Sequence, residues 1–181
     1  MTKDDELTTT LEELDRLRMH TRAAVHPAWF PLVLFGLLGL ASIPFSGIGN
    51  GAGIGLFWLV AGPAGGVATA RYYTKRAVSL GAGVRGRAYA ALGVALFVGA
   101  WVAGFITQSA AGPMIVVALG YIGFARLDRS WPTAAVAAVL GVAAVVVAVS
   151  DPANGDVILA FVFGLAFTVT GLVLRRRDPL A

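Results

Sequence analysis

The chain has 181 residues, 57% of them apolar and only 13% charged, with a formal net charge of +4. Soluble domains carry about a quarter charged residues, so this composition excludes an ordinary water-soluble globule. There is no cysteine, which excludes disulfides, thiol catalysis, iron–sulfur clusters and cysteine-ligated zinc.

The first segment, 1–27, is polar. It opens on MTKDDELTTT, acidic where a secretory leader needs a basic stretch, so no processed leader is expected. Thr10-Leu11-Glu12-Glu13 reads as a capping box, with Thr10 at the N-cap and Glu13 at N3. Leu7, Leu11, Leu14 and Leu17 recur at helical spacing. Acids come first (Glu12, Glu13, Asp15) and bases later (Arg16, Arg18, Arg22), as the helix dipole favours. The expectation is a cytosolic amphipathic helix lying leucines-down on the bilayer surface. A second reading makes it a docking helix for a cytosolic partner or a second copy of the chain. His20 and His26 are the only histidines; six positions apart, they do not share a helical face, and no metal site is expected.

Six uncharged runs follow, at about 28–48, 51–70, 88–107, 108–125, 131–149 and 157–174. About 20 residues at 1.5 Å rise cross the roughly 30 Å hydrocarbon core, so each reads as a transmembrane helix. Helices are required because a segment in lipid must satisfy its own backbone, and the runs lack the alternation of barrel strands. The predicted fold is therefore all-α: a six-helix polytopic bundle (28–174) between the polar segment 1–27 and a basic tail (175–181).

Pro27 is placed to open the first run, with Trp29 as an interface anchor. The second run contains Gly62-Pro63-Ala64-Gly65-Gly66. Pro63 has no N–H to give the Leu59 carbonyl, so the helix is expected to kink or break near mid-membrane. Such breaks line substrate sites in some transporters, and they also occur as packing kinks. The string resembles the G-P-x-G-G pattern of the substrate-binding subunits of energy-coupling-factor vitamin transporters, the biotin type especially. The resemblance covers five residues. It implies a six-span subunit that holds a small molecule and relies on a separate ATPase, since no ATPase motif is present here.

Between the second and third runs lies GAGVRG, Gly81 to Gly86, a match to the G-x-G-x-x-G dinucleotide fingerprint. That fingerprint needs a strand before it, a helix after it within a βαβ unit, and an acid about 20 positions on. RAVSL is too short to anchor a sheet, and no acid appears between Asp15 and Asp128. The glycines read instead as a tight turn between spans, and no cofactor is expected.

The third and fourth runs bring Thr107, Gln108 and Ser109 to a connection without charge. With Ser46, Asn50 and Asn154 these residues form a candidate outer rim, with Trp58 and Trp101 about one and a half turns deeper. The candidate ligand-binding residues are accordingly Asn50, Trp58, Gly62, Pro63, Trp101 and Gln108. The fifth run, WPTAAVAAVLGVAAVVVAV, is nearly all small residues behind a Trp131 anchor, which suits close helix packing. The same spacing occurs at Gly62/Gly66/Ala70, Ala95/Gly99/Ala103 and Ala160/Gly164/Thr168 and is read as bundle packing.

Charge then orients the bundle. All 14 Lys and Arg fall in alternate connections: before the first run, between the second and third, between the fourth and fifth, and after the sixth. The other connections carry no cation. The positive-inside rule predicts both termini in the cytosol, and an even span count requires them on one side. Arg175–Arg177 form a stop-transfer cluster facing anionic headgroups. No aromatic-interleaved basic patch points to nucleic acid. The bias to Ala, Gly, Val and Arg over Lys suggests a GC-rich bacterial genome, and the expected location is the bacterial plasma membrane.

No Asp, Glu, Lys, Arg or His lies within a run, which removes the usual marks of proton relays, ion coupling and acid–base catalysis. The expected function is a non-enzymatic accessory, scaffold or regulatory membrane subunit. The alternative is a carrier, or the binding subunit of one, for a neutral or apolar small molecule.

Overall fold

Apolar runs of this length form helices wherever backbone groups must pair without water, and the computed structural model follows that rule. It describes residues 28–49, 52–80 and 87–178. The expected N-terminal amphipathic helix, Pro27, Asn50 and the GAGVRG turn lie outside the described residues. Among the described residues the elements are α1 (Trp29–Ser42) with a 3-10 turn (Ile43–Phe45), α2 (Ala52–Ser79), α3 (Arg87–Thr107), α4 (Ala111–Asp128), α5 (Trp131–Ser150) and α6 (Gly155–Arg176).

Five of these helices, α2 to α6, are long and apolar enough to cross a membrane. The first is shorter than its run of apolar residues suggests. Pro44 falls in the 3-10 turn that ends it, and the chain turns through Ile48 before α2. At 17 residues, Trp29–Phe45 is about 27 Å long, just under the hydrocarbon thickness. The second is longer than expected. Its 28 residues extend about 42 Å, longer than the roughly 30 Å hydrocarbon core, and take in RAVSL as far as Ser79. Pro63 lies inside it, and the helix continues through that position.

Three of the described connections turn on a left-handed residue that is not glycine. Gln108, Arg129 and Asp151 each take a left-handed conformation after α3, α4 and α5, with φ of 51°, 49° and 43°. The Arg129 and Asp151 amides bond back to the carbonyls of Ala125 and Val147, and these stops set α4 against α5 and α5 against α6.

The closest packing is α1 on α6, across glycines. A Cβ on Gly36 would meet Thr168 Oγ1 at 2.5 Å, and one on Gly164 would meet Leu40 Cγ at 2.6 Å. A Cβ on Gly171 would lie 2.8 Å from the Val33 amide nitrogen, so the two backbones are nearly in contact. The small-residue spacing Ala160/Gly164/Thr168 therefore serves this crossing. Gly99, Gly120 and Gly123 serve α3 on α4 in the same way, against Val116, Leu96 and Leu92. At Gly66 nothing stands within 4 Å.

The core is Leu32 of α1, Ala118 and Tyr121 of α4, Val136, Ala137 and Leu140 of α5, and Phe163 and Phe167 of α6. Helices α2 and α3 sit at its margin, and no residue of the apolar window of α3 is buried. Phe105, Ile106, Val60, Val142 and Val149 are among many large apolar side chains on the outside. Contiguous apolar surface of this extent is foreign to soluble monomers and is what a lipid-facing bundle needs.

Polar contacts gather at one end. Asp178, just past α6, bonds both Trp29 at the start of α1 and Arg76 near the end of α2. Asp128 at the end of α4 accepts from Tyr89 at the start of α3 and acts electrostatically on Tyr73 of α2. The helix ends that carry Arg71, Lys75, Arg76, Arg126, Arg129 and Arg175–Arg177 are thus brought to a single end of the bundle.

Candidate functional site

Of the candidate ligand-binding residues, those described lie on α2, on α3 and in the turn after α3. Trp58 points inward: it stacks on Phe35 of α1 at 6.5 Å and meets Phe163 of α6 edge-on at 6.0 Å. Gly62 faces α3, where a Cβ would come within 2.8 Å of the Phe97 ring. Phe97 in turn meets Trp101 at 6.5 Å, so this ring joins Gly62 to Trp101. Pro63 is exposed on the side of α2 away from these contacts.

Gln108 donates its side-chain amide to the Phe105 carbonyl at 2.6 Å. Thr107 donates to the Ala103 carbonyl at 2.8 Å, and Ser46 to the Ile43 carbonyl at 2.8 Å. These polar groups bond back to carbonyls of their own helix ends, and the Ile43 carbonyl also accepts the Ser46 amide. The apolar cleft at this end, about 430 Å³, lies elsewhere, between the α1–α2 turn and the first turns of α2, against Phe45, Ile48, Leu56 and Phe57. The structure joins Trp58 to the core and Gly62 to Trp101, but among the described residues no convergent polar set gathers around them.

A second site, at the opposite end, was missed in the sequence. Arg76 Nη2 donates to both Asp178 oxygens, at 2.9 and 2.8 Å, and Nη1 donates to the Tyr72 hydroxyl at 3.0 Å. The Trp29 indole N–H donates to Asp178 Oδ2 at 2.9 Å. The Arg175 guanidinium lies over the Trp29 ring, 5.3 Å from its centre. Phe30 stacks flat on Tyr72, at 4.0 Å with 5° between planes. The ion pair is largely enclosed, its side chains only 10% and 8% exposed. One carboxylate thus ties α1, α2 and α6.

Beside it, Tyr72 and Tyr73 stand 5.9 Å apart and link this clasp to the Asp128–Tyr89 contact. Tyr121 sits deeper in α4, edge-on to Phe167 at 4.5 Å. All four tyrosines of the chain therefore lie on this half of the bundle. The available signal was slight: Tyr72 and Arg76 are one helical turn apart, and Asp178 is the lone acid after three arginines.

Chemically the clasp is closed. A carboxylate that accepts two guanidinium bonds and an indole N–H is poorly placed as a general base. Among the described residues, no three His, Asp or Glu side chains converge as metal ligands would. The arrangement does what ion pairs between helix ends do: it fixes relative position.

Fold and site together define an all-helical protein of the membrane type, with five helices of spanning length. No protein-family model, curated protein or solved structure matches the chain.

Proposed function

We propose that the chain is a non-catalytic subunit of a membrane assembly, multi-pass in a bacterial plasma membrane with both termini in the cytosol. The observation that supports this reading is an asymmetry of packing. The α1–α6 and α4–α5 contacts are close, and the polar groups of the clasp satisfy one another, whereas α2 and α3 leave most of their length uncovered by the chain itself. A neighbouring membrane helix, from a partner or a second copy, fits against that side. No enzymatic step is proposed. Photo-crosslinking from Val94 or Val98, both on the exposed side of α3, tests it: the expected product is a discrete protein adduct in native membranes. Only lipid adducts, together with solute transport by the purified monomer, would overturn it.

The second reading, a carrier for a neutral or apolar small molecule, draws on the apolar cleft along the start of α2 and on Pro63 further down the same helix. Thermal-shift screening against vitamins and lipids tests that. A ligand response that survives replacement of Pro63 by Ala removes its main support.

A further inference from the structure

We infer that the end of α6 is a binding site for one anionic phospholipid. A recess of about 340 Å³ is lined by Leu172, Arg175, Arg176 and Asp178. Its charge is positive despite the carboxylate, because Asp178 is neutralised by Arg76 and further held by the Trp29 N–H. Arg175 and Arg176 are exposed, and neither forms an ion pair with a described acid. Arg175 is held in place by its contact with Trp29, so one of the two cations is preorganised rather than free to wander. A guanidinium pair is suited to a phosphodiester, which it meets with parallel N–H donors.

The helix supplies a track for the acyl chain. Phe161, Leu165, Val169 and Leu172 are all about half exposed and recur at spacings of three and four, which puts them on one face. Arg176 continues that face one turn beyond Leu172. From Phe161 to Leu172 the track is about 17 Å long, close to the roughly 15 Å of one leaflet's hydrocarbon. An apolar stripe of one-leaflet length ending in two cations fits a lipid with a negatively charged headgroup. A free phosphate fits only the recess, and a zwitterionic lipid only the stripe.

The test is native mass spectrometry of the full chain in neutral detergent, titrated separately with phosphatidylglycerol, phosphatidylcholine and inorganic phosphate. Phosphatidylglycerol is expected to bind with clear preference. R176Q, which leaves the Arg175–Trp29 contact intact, is expected to weaken it about five-fold, and R175Q/R176Q about thirty-fold. R175K/R176K keeps the charge and is expected to stay within about five-fold of the wild type. The proposal is overturned if the two lipids bind equally, if R176Q binds as tightly as the wild type, or if inorganic phosphate competes at the same concentration as the lipid. A lipid-free dimer that R175Q/R176Q splits would also overturn it, by making the stripe an interface between copies.

Discussion

Arg76 and Asp178 meet at 2.8 Å across 102 residues of sequence, and their pairing holds the end of α2 to the end of α6. Helix α2 needs this, because its apolar length packs only lightly on the rest of the bundle. Removing one partner from an enclosed pair leaves an uncompensated charge and costs about 3–5 kcal/mol when burial is complete. Asp178→Asn is therefore expected to destabilise the chain by roughly 2–4 kcal/mol. R76Q/D178N is expected to cost clearly less than the sum of the single changes, since it strands no charge. Unfolding in mixed micelles, run as a double-mutant cycle, checks both. Additive single effects would mean the two groups do not support each other.

The glycines separate into those that permit a crossing and those that do not. At Gly36 the nearest atoms to an added Cβ include the Thr168 amide nitrogen at 2.6 Å, and at Gly164 the Leu40 amide nitrogen at 2.9 Å. Backbone cannot rotate away, so G36A and G164A must push α1 off α6. Each is expected to cost about 1–3 kcal/mol. Gly66 faces open space, and G66A is expected to raise stability by about 0.5–1 kcal/mol through helix propensity alone. Thermal melts of the three variants decide. A neutral G164A, or a destabilising G66A, contradicts this assignment of the packing face.

What was readable in the sequence follows from what each signal measures. Hydropathy reports the solvent of a segment, so the runs that become α2 to α6 stood out without any knowledge of partners. It reports termini poorly. Tyr72, Tyr73, Thr74 and Lys75 look like a loop by polarity, yet the helix runs on to Ser79 because α1, α6 and Asp178 receive its polar side. The first apolar run outlasts its helix because Ile43, Phe45 and Ile48 are as apolar as a helix interior, while Pro44 marks where the regular helix has already ended. Pairings such as Gly36 with Thr168, or Trp29 with Asp178, depend on how helices cross, and nothing local encodes that. The candidate rim illustrates the same limit: Gln108 and Thr107 are polar at a helix end for the sake of that end's own carbonyls.

Pro63 lies on an exposed face of a helix that continues past it, with Gly66 unpartnered one turn on. If its role is only to be tolerated there, Pro63→Ala restores a donor to the Leu59 carbonyl and is expected to stabilise α2, by up to about 3 kcal/mol. If the carrier reading holds, the same change abolishes a ligand-induced thermal shift while leaving the apo protein at least as stable. Melting P63A with and without any ligand found in the screen separates these outcomes. A P63A protein that is less stable than the wild type contradicts both, and would mean the proline shapes the packing of α2 on Phe35 and Phe97.

The proposed orientation of the bundle rests on charge and can be tested directly, because the chain has no cysteine of its own. Ser109 and Ala153 lie in the connections after α3 and α5, the end that carries no cation among its described residues. Ser79 and Ser130 lie at the end where the arginines gather. Translocation of a cationic connection opposes the membrane potential and the attraction of anionic headgroups, so the proposed orientation keeps that end in the cytosol. An impermeant maleimide applied to intact cells is therefore expected to label S109C and A153C, and to label S79C and S130C only after permeabilisation. The mirror-image pattern would invert the protein while leaving the helix count intact. Labelling of S109C without A153C would break the pairing of α4 with α5 as two consecutive spans, and with it the six-helix reading.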